Sequence, residues 1–137
     1  RGGGRMKKVL KLVAILFSAL LIVACSKPKI TKEQQDNVAI RIYRNYDVQE
    51  IEFLDFDKNQ STGSYELVLK LNNNENKKTI ILIREIEFLD KSEGELSLNP
   101  LGRFKEYKRQ KVLEGEVQLS KIKIKYIGEN NVNGATK

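Results

Sequence analysis

The 137-residue sequence contains no histidine, no tryptophan, a single cysteine, a single methionine and two prolines. Without histidine the chain lacks the commonest general base and the commonest metal ligand together. One cysteine, Cys25, excludes a disulfide within the chain, so apolar burial must carry the stability. The same shortage removes thiol chemistry, Cys/His zinc sites and nucleophiles activated by an imidazole. No phosphate-binding glycine loop is present either. A hydrolase built from carboxylates alone needs a cleft holding two of them. Glu50, Glu52, Glu85 and Glu87 instead alternate with apolar residues, as solvated strand positions do. The absences together point away from an enzyme, and toward a protein with no cofactor and no bound metal.

What is present is most specific near the N-terminus. Met6-Lys7-Lys8 and Lys11 precede an apolar run from Leu12 to Val23, broken only by Ser18. A positive stretch followed by an apolar run of this length reads as an export leader, because a membrane-spanning helix needs about 20 apolar residues. The run closes on Ile22-Val23-Ala24-Cys25-Ser26. This stretch resembles the lipobox of bacterial lipoproteins, in which a small residue precedes an obligatory cysteine. The resemblance covers residues 6 to 26. It implies that the Cys25 thiol receives a diacylglyceryl group, that signal peptidase II cuts after Ala24, and that Cys25 becomes the mature N-terminus. An uncleaved apolar helix with an incidental buried cysteine is the plainer alternative. It would leave a lone thiol in a secreted protein, a problem that lipidation removes. The preceding RGGGR, residues 1–5, can be written in purine-only codons and reads as translated upstream sequence or an expression scar.

Removal of the leader changes the charge. The full chain carries 25 basic and 18 acidic residues, but five of the basic ones lie at or before Lys11, leaving 20 against 18 and a net charge of +2. The high pI is therefore mostly an export signal, and nucleic acid is not an expected partner. From Cys25 onward there are 113 residues, enough for one domain. The expected organisation is a leader at 6–24, a lipidated tether at 25–30, a globular domain at 31–127 and a flexible tail at 128–137. Between the lipid and the first periodic segment only Ser26 to Ile30 intervene, which at about 3.3 Å per residue keeps the domain within roughly 20 Å of the membrane.

Thr31-Lys32-Glu33-Gln34 has the pattern of a capping box, and Val38, Ala39, Ile42, Tyr43 and Tyr46 then recur at helical spacing. Beyond Tyr46 the period becomes two. Ile51 and Phe53, then Tyr65, Leu67, Leu69 and Leu71, and near the end Ile122, Ile124 and Tyr126 alternate with polar residues. Thr79 to Ile83 is a continuous run, β-branched at every position but Leu82, the pattern of a central strand covered on both faces. Gly63, Asn72-Asn73-Asn74, Gly94, Asn99-Pro100 and Gly115 supply turns. The segment from Leu101 to Val112 suits a short helix or an exposed strand equally. The fold class this predicts is α+β: one N-terminal helix packed on a meandering antiparallel sheet of five to six strands, an outline shared with cystatin-like domains. That likeness is one of architecture and carries no function.

The hexapeptide EIEFLD occurs twice, at 50–55 and at 85–90. Each copy precedes a glycine turn and a further apolar alternation, with Gly115 to Leu119 as a third variant, so the repeat reads as a hairpin unit with glutamates outward and aliphatics inward. Asp55, Asp57, Asn59, Ser61 and Glu66 fall on positions 1, 3, 5, 7 and 12 of a calcium loop. Gln60 stands where that loop needs glycine and the flanks read as strands, so a polar hairpin is the better reading. Residues 103–125 hold eight basic and three acidic side chains. Arg103, Lys105, Lys108, Arg109, Lys121, Lys123 and Lys125 are the candidates for contact with an anionic surface, against the plainer reading of a solvated face.

The chain as a whole is similar to small lipoproteins of Gram-positive bacteria whose domains have no assigned activity, and its abundance of Lys, Ile and Asn fits an AT-rich genome. The functional expectation is a membrane-anchored extracytoplasmic interaction module. Its partners would be the membrane, through the diacylglyceryl-cysteine, and either a protein or an anionic envelope polymer. A prophage- or plasmid-borne defence lipoprotein is the alternative.

Overall fold

Thr31 converts the extended tether into a helix. Its hydroxyl accepts the Gln34 backbone N–H at 3.1 Å, and the Gln34 side chain accepts the Thr31 N–H at 3.0 Å, the reciprocal capping box its spacing predicts. In the computed structural model, which describes residues 27–128, this cap opens helix α1 (Lys32–Asn45). Strands β1 (Glu50–Lys58), β2 (Tyr65–Leu71) and β3 (Lys78–Ile83) follow. A long stretch with three 3-10 turns then leads to a short strand, β4 (Lys123–Lys125). Residues 1–26, which hold the expected leader and Cys25, and residues 129–137 lie outside the described residues.

The α+β expectation holds at the level of one helix on one sheet. The described residues form four strands in the order β3-β2-β1-β4, rather than five or six. β1 to β3 are antiparallel neighbours, but β4 returns parallel to β1, so the sheet is mixed and not a simple meander. The helix stripe of Val38, Ala39, Ile42 and Tyr46 packs on the inner sheet face, built from Ile51, Phe53, Phe56, Leu67, Leu69, Leu71, Ile81 and Ile83, all buried.

Phe53 and Phe56 are three residues apart, and strict alternation would put them on opposite faces. The register shifts between Phe53, opposite Leu69, and Asp55, opposite Val68, leaving Leu54 as the extra residue of a β-bulge. The bulge brings both rings to the core and turns Leu54 and Asp55 outward. At the β2–β3 turn, Asn72 and Asn73 take positive φ angles of 53° and 50°, a conformation asparagine tolerates better than most residues. The Asn72 side chain accepts the N–H groups of Gln49 and Glu50 at 2.8 and 3.1 Å, tying this turn to the start of β1.

β3 is an edge strand, contrary to the two-sided burial its composition suggests. Thr79, Ile81 and Ile83 point inward, whereas Ile80 and Leu82 are 40% and 58% exposed. A β-branched run reads the same whether one face or both are covered, and here β4 has joined the opposite edge. The open edge is blunted by the following chain. Asn99 exchanges hydrogen bonds with the Ile80 backbone at 3.4 and 3.1 Å, its carbonyl accepts the Thr79 hydroxyl at 2.9 Å, and Arg103 donates to the Lys78 carbonyl at 3.3 Å.

The second EIEFLD is not a strand. Residues Ile86–Asp90 form a 3-10 turn, in which Leu89 is buried, Ile86 is exposed and Phe88 is half-buried. The hairpin-repeat reading therefore fails for this copy, and for Glu95 to Leu98 and Glu116 to Leu119, neither of which forms a strand. Leu101–Tyr107 is also a 3-10 turn, so the first part of the ambiguous segment is helical and buries Phe104, while Lys108 makes an isolated antiparallel bridge to Tyr46 and residues 109–112 are irregular. An irregular backbone needs partners for its carbonyls, and for residues 88 to 94 one flank of α1 supplies them. Asn37 donates to the Leu89 carbonyl (3.0 Å), Arg41 to Phe88 and Lys91 (3.2 and 2.9 Å), Arg44 to Ser92 (3.1 Å) and Asn45 to Gly94 (3.2 Å). Arg41 is only 4% exposed, its guanidinium lies 3.8 Å from the centre of the Phe88 ring, and burial lowers its pKa.

Candidate functional site

On the outer face of the sheet Leu54, Asp57, Lys78, Ile80, Leu82 and Lys123 are exposed, whereas Lys70 is buried. The composition of this face follows from the register. Glu50, Glu52, Leu54, Asp55 and Asp57 of β1, Glu66, Val68 and Lys70 of β2, Lys78, Ile80 and Leu82 of β3, and Lys123 and Lys125 of β4 all face away from the core. Val68 lies opposite Ile80 on one side and Asp55 on the other, so Ile80, Val68 and Leu54 make an apolar row across three strands. Leu82 extends it at the β3 end, beside Glu66.

One flank of this row is an ionic lattice. Lys70, nearly buried, sits 3.3 Å from Glu52 and 2.9 Å from Glu75, and Lys78 is 2.9 Å from the other oxygen of Glu75. Flanked by Lys78 and Lys70, the Glu75 carboxyl is pulled down from 4.5 to about 2. The Lys70 ammonium is correspondingly raised, mainly by its bond to Glu75 and against the effect of burial. Lys123 approaches Glu50 at 3.6 Å, and Lys125 lies across from Glu52.

Lys27, in the segment before α1, reaches the same face. Buried Gln35 accepts the Ile127 N–H at 2.8 Å, which places the start of α1 beside the segment after β4. β4 pairs with β1 only from Glu50 to Glu52, so beyond that point this edge of β1 has no strand neighbour among the described residues. There Lys27 forms an ion pair with Asp55, whose carboxylate raises the ammonium pKa. No sequence pattern marks this pair, because its members are 28 residues apart. The bulge that aims Asp55 outward is legible only as the three-residue spacing of Phe53 and Phe56.

The seven basic residues singled out from the sequence do not form one strip. Arg103 caps the β3 edge, while Lys121, Lys123 and Lys125 belong to the β4 side, about 14 Å away across three strand spacings. Arg109 is engaged with α1, donating to the Tyr43 carbonyl at 2.8 Å and lying 4.8 Å over the Tyr43 ring. Lys108 pairs through its backbone with Tyr46, and its side chain, like that of Lys105, is exposed. Cys25 lies outside the described residues. The calcium-loop positions form the β1–β2 hairpin, where the Asn59 side chain accepts the Ser61 and Thr62 N–H groups at 2.9 and 3.3 Å and Gly63 supplies a φ of +76°. Among the described residues no three His, Cys, Asp or Glu side chains gather as metal ligands.

A hollow of about 540 Å³ lies between that hairpin and Leu82, with Glu66 and Arg84 as its charged groups. It is wide open, so it can hydrogen-bond a polar group at its rim but cannot exclude water from it. The chain matches no family model, no curated protein and no solved structure.

Proposed function

We propose that the protein is a lipid-anchored extracytoplasmic module, exported by the leader at residues 6–24 and held to the membrane by a diacylglyceryl group on Cys25. Its work there is binding rather than catalysis, with an envelope protein or an anionic wall polymer as partner. The carrying observation is the order of charge, apolar run and Ala24-Cys25-Ser26, in a chain whose only cysteine stands where lipoprotein processing needs one. The helix cap at Thr31, six residues beyond Cys25, supports a domain held close to the surface.

Two acyl chains, each methylene contributing about 0.8 kcal/mol, make such anchoring effectively permanent where one chain does not. The test is the Cys25→Ala variant, grown with labelled fatty acid. It should remain as an unprocessed precursor without label, while the parent chain is labelled and shortened. A variant that still labels would refute the assignment.

A further inference from the structure

Resting on that reading, we propose that the outer face of the sheet is the surface with which the domain lies on the lipid bilayer, the row of Leu54, Val68, Ile80 and Leu82 entering the boundary between head groups and acyl chains. Single exposed aliphatic residues need no explanation. These four are different because the register assembles them on one sheet face, Leu54, Ile80 and Leu82 being 38%, 40% and 58% exposed around a half-buried Val68. The row also ends at the tether, where Asp55 next to Leu54 holds Lys27.

Cys25 is two residues upstream of Lys27, a span of at most about 7 Å. A lipid attached at Cys25 therefore brings the head-group plane to the edge of this face before any docking contact forms. Tethering of this kind turns docking into an intramolecular step with a high effective concentration, so a modest apolar row suffices. Along one flank, beside Lys125, runs the ion-paired row of Glu52, Lys70, Lys78 and Glu75, whose lysine stems can lie along the apolar residues while the paired charges stay at the level of the head groups. Asp57 and Glu66, at the hairpin end, stay at the level of the head groups, so Leu82, opposite Glu66, is the shallowest member of the row. The helix and the 108–118 loop, on the other side of the sheet, then face outward to the partner.

The experiment uses the full chain, processed in bacteria and reconstituted into phosphatidylglycerol/phosphatidylethanolamine vesicles. Lipidated Cys25 is a thioether, so an introduced cysteine is the only thiol open to a water-soluble maleimide. Leu54→Cys and Leu82→Cys probe the sheet face, and Glu114→Cys, exposed in the loop beside α1, serves as the reference. The two sheet-face thiols should react about tenfold more slowly than the reference, the factor that a docking preference of roughly 1.4 kcal/mol gives. That protection should persist when vesicles hold a single copy each. Equal rates on a chain shown by mass to be lipidated overturn the docking surface alone. Protection lost at single-copy density overturns it in favour of a second copy of the chain. A chain without fatty acid overturns the anchoring as well.

Discussion

Leu54 and Leu89 hold the same place in the two EIEFLD copies, yet Leu54 is 38% exposed and Leu89 not at all. The isoleucines reverse this order, Ile51 being fully buried and Ile86 36% exposed. Four alanine substitutions thus read the conformation of each copy separately. Cutting a buried leucine or isoleucine to alanine costs about 2–5 kcal/mol, because lost transfer energy and a residual cavity add. A substitution at the surface stays within about 0.5 kcal/mol. Ile51→Ala and Leu89→Ala should therefore be the costly pair, and Leu54→Ala and Ile86→Ala the tolerated one. In a domain of about 100 residues each kcal/mol shifts Tm by roughly 4–8 °C, so the costly pair should each lose about 8 °C or more. Thermal unfolding followed by circular dichroism, repeated in urea, measures all four. If the isoleucine proves costly and the leucine cheap in both copies, the second copy is a strand and the 3-10 assignment is refuted.

Two further outcomes follow from the ion and hydrogen-bond networks. Arg41→Gln should free the Phe88 and Lys91 carbonyls from a charged donor, a bond type that contributes about 1.5–3 kcal/mol, and so speed hydrogen exchange selectively across residues 86–94; unchanged exchange there would contradict the clamp. Glu75 has a folded pKa of about 2 against an ordinary 4.5, so its contribution to stability is complete above pH 4.5 and is lost as pH falls through about 2. Glu75→Gln should accordingly melt below the parent at pH 6 and converge with it near pH 2, whereas a gap independent of pH would rule out the lysine pairing as its source.

Local chemistry determined α1 and the first three strands. The Thr31/Gln34 box, the stripe from Val38 to Tyr46 and the alternations at 51–53 and 65–71 each depend on neighbours a few residues away, so the sequence alone was enough to read them. The export and lipidation pattern proposed for residues 6–26 is likewise contiguous, and the expectation at Cys25 needed no fold. Tertiary structure decided what EIEFLD becomes. In the first copy β2 offers a strand partner and the bulge sorts Phe53 and Phe56 to one face. The second copy follows an edge strand whose free side is occupied by Asn99 and Arg103, and the donors on α1 at positions 37, 41, 44 and 45 take up the carbonyls that no strand reaches. Those donors do sit at helical spacing, but a polar flank reads as solvent-facing until something packs against it. The outer face belongs to the same class. Its row of aliphatics comes from three strands and its tether contact from a residue 28 positions away, so register and chain path, and no local pattern, brought them together.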